Sequence, residues 1–131
     1  MKLIFIKEIF SLGISILILH IIALKLFLYW TIDWYDIGMH FLGGFLIGLI
    51  IISAFYRLIN NKNKEEKINN FLFFTSIILW VLVVGLMWEL WELFIGFTNV
   101  IEDKWDTILD LIMDIVGAFG SIIYYSIKIK D

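Results

Sequence analysis

Apolar residues gather into four long runs along this chain, separated by three polar breaks. The runs lie at roughly 9–29, 37–59, 71–97 and 106–127. A helix needs about 20 mostly apolar residues to cross a bilayer core, and each run is long enough. The pattern predicts an all-α, polytopic integral membrane four-helix bundle that takes in residues 1–131 as a single transmembrane domain. The first run follows Lys2 and Lys7, as a signal peptide would. It is too long for an h-region and lacks an A-x-A-like cleavage site, so it is expected to be a retained helix. The second break, residues 60–70, contains Asn60, Asn61, Lys62, Asn63, Lys64, Glu65, Glu66 and Lys67 and reads as a solvated loop. The other two connections are short, which makes consecutive helices antiparallel neighbours.

Composition agrees with the membrane reading. The 131 residues are 62% hydrophobic and 18% charged, against roughly 45–50% and about 25% in soluble domains. With no Cys there is neither a disulfide nor a thiolate nucleophile or ligand. A net acidic chain with a short loop of mixed sign gives no support to nucleic-acid binding.

Charge supplies the direction. Lys2, Lys7, Arg57, Lys62, Lys64, Lys67, Lys128 and Lys130 fall at the N-terminus, the central loop or the C-terminus. Four crossings put those regions on one side, which the positive-inside rule makes cytoplasmic. The expected topology is N-in and C-in, multi-pass in the cell (inner) membrane. Trp30, Trp34, Trp88, Trp91 and Trp105 then cluster toward the outer ends, where interfacial aromatics belong. Lys25 and Lys104 are the two cations of the outer side. Facing them are nine acids: Asp33, Asp36, Glu89, Glu92, Glu102, Asp103, Asp106, Asp110 and Asp114. The net charge of -3 therefore conceals an acidic outer half and a basic inner half.

Spacing draws seven groups together. Asp36 and His40 are i, i+4 on one helical face, and Glu89 and Glu92 are i, i+3 on another. Asp106, Asp110 and Asp114 form a stripe that descends roughly 12 Å along the fourth helix. An acid at the bilayer centre costs about 2.5–3.5 kcal/mol on insertion scales, so such groups are expected to face the bundle interior. Small residues continue the same faces: Gly44 and Gly48 after His40, Gly85 before Glu89, and Gly117 and Ser121 after Asp114. Together these patterns predict a pocket opening outward, built from Asp36, His40, Glu89, Glu92, Asp106, Asp110 and Asp114. So many carboxylates cannot share a site unneutralised, and two Lys are too few. Protons or a divalent cation would serve. Oxygen ligands with an imidazole and no sulfur suit Mg, Mn or Ca first, then Fe or Zn. For Asp106 a plain first-turn acid facing the helix dipole is the competing explanation. His20, near mid-span, reads as an interhelical hydrogen bond and stands outside the site.

The segments Asp36-Ile37-Gly38-Met39-His40-Phe41, Trp88-Glu89-Leu90-Trp91-Glu92 and Asp106-Thr107-x-x-Asp110-x-x-x-Asp114-x-x-Gly117 resemble those of the YjdF-type and VanZ-like small integral membrane proteins. Order, helix placement and spacing match over about 36–120. The VanZ-like pattern has Lys, Gln and Asn near the places held here by Ile37, Glu92 and Asp114, so the likeness leans to the YjdF-type branch. That branch is largely of unknown function. The resemblance implies a polar site at Asp36, His40, Glu89, Glu92, Asp106, Asp110 and Asp114 without naming a reaction. Asp110 and Asp114 also match the end of the CDP-alcohol phosphotransferase motif, but the D-G-x-x-A-R portion is absent.

Three classes of function follow. The leading one is a metal-dependent hydrolase or transferase on a lipid-linked, phosphorylated substrate, with His40, Glu89 or Glu92 moving the proton. The second is a proton- or cation-coupled transporter or channel, in which a homodimer formed through Gly44 and Gly48 would complete the pathway. The third is a non-catalytic protein stabilised by a cation or docking a partner on its acidic face. The sequence leaves open whether the chain is an enzyme.

Overall fold

The computed structural model describes residues 5–61, 70–96 and 104–128. Four long helices carry the fold: α1 (Ile6–Leu26), α3 (Tyr35–Asn61), α4 (Asn70–Ile95) and α5 (Lys104–Lys128), with a single turn, α2 (Leu28–Thr31), after the first. All four are long and apolar enough to cross a membrane. Residues 62–69 of the expected loop lie outside the described residues, as do Glu102 and Asp103.

The first apolar run is not one helix. Phe27 adopts a left-handed conformation (φ 56°, ψ 34°), and its N–H closes α1 on the carbonyl of Ala23. The chain then turns once through α2. A residue with a Cβ costs roughly 1–2 kcal/mol in that conformation. Here a bend is needed to bring Tyr29 back over the bundle, where its hydroxyl meets His20 Nδ1 at 2.7 Å.

Each of α3, α4 and α5 buries one stripe at helical spacing. On α3 it is His40, Gly44, Gly48 and Ile52; on α4, Ile77, Val81, Gly85 and Glu89; on α5, Asp110, Asp114, Ala118 and Ile122. Every stripe is polar toward one end of the bundle and apolar toward the other. At the apolar end Phe55 packs on Phe73 with ring centres 5.5 Å apart, and Phe5 on Tyr124 at 5.5 Å. Glu8 and Lys128 approach to 3.9 Å at the same end. The start of α1 and the end of α5 therefore lie together, as four antiparallel crossings require. Being exposed, the Glu8–Lys128 pair contributes little. Helix α1 is peripheral: Ala23 is the one residue it buries.

The tightest pairing is α3 against α5. A Cβ on Gly44 would run into the carbonyl oxygen of Asp114, and one on Gly117 into the carbonyl oxygen of Phe41. Gly48 meets Ser121 in the same seam. Gly44 and Gly48, the stripe expected to serve a homodimer contact, are packed against Asp114 and Ser121 here. A small-x-x-x-small stripe lets any helix backbone approach, and in this fold α5 of the same chain occupies it.

Gly44→Ala is accordingly expected to destabilise the bundle by about 1–3 kcal/mol, the usual range for overpacking. Gly38→Ala, which meets no heavy atom within 4 Å, should leave the melting temperature unchanged or raised. Thermal unfolding in detergent compares the two, and equal shifts would contradict the α3–α5 seam.

Candidate functional site

His40 stands at the centre of the polar end. Its Nδ1 lies 3.3 Å from Asp114 Oδ1, within hydrogen-bond distance. Its Nε2 faces three further carboxylates: Glu89 Oε1 at 3.6 Å, Asp36 Oδ1 at 3.8 Å and Asp110 Oδ2 at 4.0 Å. The i, i+4 step brings Asp36 to His40 along α3, α4 supplies Glu89, and α5 supplies Asp110 and Asp114. The approach at Gly44 and Gly117 makes that meeting geometrically possible. Gly85 gives the same access from α4, since a Cβ there would strike Asp114 Oδ2.

Burial is nearly complete. Asp110 is 2% exposed, Glu89 and Asp114 5%, His40 6% and Glu92 7%. Four buried atoms have no hydrogen-bond partner: His40 Nε2, Glu89 Oε1, Asp110 Oδ1 and Asp114 Oδ2. An unsatisfied buried polar atom costs about 1–3 kcal/mol, and more when charged. Among the described residues no Lys or Arg forms an ion pair with any of these carboxylates.

The tautomer follows from the partners. To bond the Asp114 carboxylate, Nδ1 must carry a proton, which turns Nε2 toward the other three carboxylates. Those lie beyond the roughly 2.7–3.2 Å of a hydrogen bond. The result is a gap in which Nε2 faces three carboxylate oxygens and bonds to none of them. Ligands of a first-row cation sit at about 2.0–2.2 Å, hence about 3.0 Å from each other when adjacent in an octahedron and about 4.2 Å when opposite. The observed separations of 3.6–4.0 Å fall between those values. Asp36, His40 and Asp110 offer ligand atoms all within 4.8 Å of one another. With a cation held there, Asp114 would fix the other ring nitrogen, as a carboxylate commonly does behind a metal-bound imidazole.

The seven expected residues do not share one role. Asp36, His40, Glu89, Asp110 and Asp114 converge. Glu92 is buried beside them, but its Oε1 accepts a hydrogen bond from Trp88 Nε1 at 2.8 Å, so it lies one step away from the gap. Asp106 departs from the expected pocket: it is exposed in the first turn of α5. In that turn Thr107 is the residue that reaches α4, through Glu89, while Asp106 is left exposed, a placement that suits a dipole-facing acid. His20 bonds Tyr29 on the short α2, a partner within the same apolar run and not on another spanning helix as expected.

Two second partners were not assigned from sequence. Thr107 Oγ1 donates to Glu89 Oε2 at 2.7 Å, leaving Oε1 to face His40. Thr107 lies three and seven residues before Asp110 and Asp114, so the helical period that united the acids could have included it. Trp88 and Glu92 are i, i+4, also a readable signal. Burial, followed by the nearby Asp36, Tyr35 and Glu92, pushes the phenol of Tyr29 above its ordinary value. It therefore keeps its proton as a donor above the cluster.

His40→Leu is expected to lower stability by about 3–5 kcal/mol, the cost of stripping buried charges of their common partner. Asp106→Asn should change it by less than about 0.5 kcal/mol, as exposed positions do. Denaturation midpoints in detergent check both. A large effect at Asp106 would restore it to the site.

The model of the family described as "Predicted membrane protein (DUF2238)" matches residues 4–131, so the chain belongs to that family. With four spanning helices it is a multi-pass membrane protein. No curated protein and no solved structure matches it.

Proposed function

We propose that this DUF2238 member is a divalent-cation-dependent hydrolase or transferase acting on a lipid-linked, phosphorylated substrate at the outer leaflet of the cell membrane, with both termini cytoplasmic. The observation that carries the reading is the gap beside His40 Nε2, faced by Asp36, Glu89 and Asp110, where Nε2 and Glu89 Oε1 are buried without a hydrogen-bond partner. The likeness of the three motifs to YjdF-type and VanZ-like membrane proteins is compatible with it.

His40, Asp36 and Asp110 would hold the cation, with Asp114 fixing the imidazole from behind. A cation bound there would supply phosphate binding and activation of a water. His40 can then no longer serve as a base, because one nitrogen ligates and the other bonds Asp114. Proton transfer falls to Glu89, whose Oε1 is unpartnered while Thr107 steadies its other oxygen. Glu92, tied to Trp88, stands behind it as a reserve acceptor. Mixed oxygen and imidazole ligation favours Mn, Fe or Zn over Ca within the hard-to-borderline set.

A second reading has its own support. The ligands come from α3 and α5, the most closely packed pair, so a cation would clamp those helices with or without turnover. Ion passage gains nothing comparable: inward of Asp114 the centre is filled by Leu49, Ile52, Ile77, Val81, Ala118 and Ile122, with Ser53 and Ser121 as the buried polar groups among the described residues.

Metal analysis of the purified full chain is expected to find about one divalent ion per protein. The variant Asp36→Asn/Asp110→Asn should retain less than a tenth of it. Glu89→Gln should keep the metal and lose phosphate release from a lipid phosphate. A metal-free wild type after reconstitution with Mn or Zn would refute the reading. Metal retention with full stability loss on chelation and no turnover on any lipid phosphate would favour the clamp.

A further inference from the structure

One cavity of the bundle extends from the cluster, with Asp36, His40 and Asp114 in its wall. It holds about 180 Å³ and lies over α3 between α1 and α4. The α1 and α4 backbones come no closer than 8 Å among the described residues. They are joined across the gap at one end, where the His20 and Trp88 rings meet edge-on at 5.7 Å. Val84, on the wall, is 37% exposed, so the cavity reaches the lipid-facing surface.

Its lining is ordered by polarity. His20, Tyr29, Asp36, His40 and Asp114 stand toward the polar end of the bundle, and Ile16, Leu46, Ile47 and Val81 continue away from it. From Asp36 to Ile47 the slot follows about 16 Å of helix α3. Gly43 leaves its floor flat, with nothing within 4 Å of a Cβ built there. A membrane lipid has the same order of polarity along the same axis, head toward the interface and chain toward the middle. Width restricts the choice. Pockets for drug-sized ligands span roughly 300–1,000 Å³, and this one is smaller, which suits one slim chain rather than two.

We infer that the slot between α1 and α4 is the binding site for the single hydrocarbon chain of an amphiphilic phosphate, which enters sideways from the bilayer and presents its head to the His40 cluster. The inference deepens the proposed function and rests on it for the headgroup; the chain site rests on the cavity alone. His20 and Tyr29 form the collar where head and chain join. Trp88 closes the slot toward the interface.

The test uses the full chain in nanodiscs and a diazirine-bearing dodecyl phosphate as probe, with labelled residues mapped by peptide mass spectrometry. Labelling is expected at Ile16, Leu46, Val81 or Val84. Val84→Trp should reduce it at least tenfold while metal content stays at the wild-type level. Ile16→Trp, on the peripheral α1, repeats the block from the opposite wall should Val84→Trp fail to fold. A diazirine-bearing dodecanol should label the slot more weakly than the phosphate, and inorganic phosphate should not compete with either. Labelling unaffected by both Trp variants, or spread equally over the outer face of α5 at Ile112 and Phe119, would overturn the slot. Equal competition by a two-chain phospholipid would overturn the one-chain limit. If the slot labels in a protein that binds no metal, the chain site stands and the metal reading falls. If metal is retained while the Trp variants change nothing, the reverse holds.

Discussion

A carboxylate inside a bilayer has to find a partner, and here four of them find the same one. Asp36, Glu89, Asp110 and Asp114 surround His40 from three helices. In a medium of low dielectric, opposite charges attract strongly and like charges repel as strongly. The imidazole therefore acts as a hub that no single helix could supply. The placement of α3, α4 and α5 relative to one another is tied to it.

That hub needs backbones closer than ordinary side chains permit. Packing between membrane helices has no water-driven hydrophobic term to draw on, so close contact and buried polar bonds must supply association. Gly44 against Asp114, Gly117 against Phe41 and Gly85 against the Asp114 carboxylate provide the closeness. The same stripes turn apolar lower down, where Ile52, Ile77, Ala118 and Ile122 fill the centre. One end of the bundle thus gains its cohesion from dispersion contacts. The other holds polar groups in place, two of them fixed from outside by Thr107 and Trp88.

Much of this could be read from spacing. Asp36 with His40, and Asp110 with Asp114, are i, i+4 pairs, and helical geometry alone puts each pair on one face. The four crossings follow from apolar length. What spacing cannot supply is depth and partnership. Asp106 continues the Asp110–Asp114 stripe by the same step of four, yet it is exposed while its neighbour Thr107 meets α4, since each step of four drifts about 40° around a helix of 3.6 residues per turn. Gly44 and Gly48 announce a helix contact but not which helix makes it, because a neighbour in the same chain and one in a second copy require the same small residues. Phe27 is the least legible position: an apolar residue in the left-handed region, with neither Gly nor Pro to mark the break, set by the tertiary need to fold Tyr29 over His20.

The sign of the cluster bears on the proposed reaction. Carboxylates outnumber the imidazole, and no Lys or Arg among the described residues pairs with them. An anionic phosphate brought there unaided would meet repulsion at short range and low dielectric. On the proposed reading a cation removes that barrier and, by joining ligands from α3 and α5, also tightens the polar end. Stability and substrate admission are then linked through a single binding event, since whatever binds the native state alone also stabilises it. The loosely attached α1, burying only Ala23, is free of that clamp. On the same reading it is also the wall beside which a chain would enter from the side, so the closely packed helices would hold the chemistry and the peripheral one would border the way in.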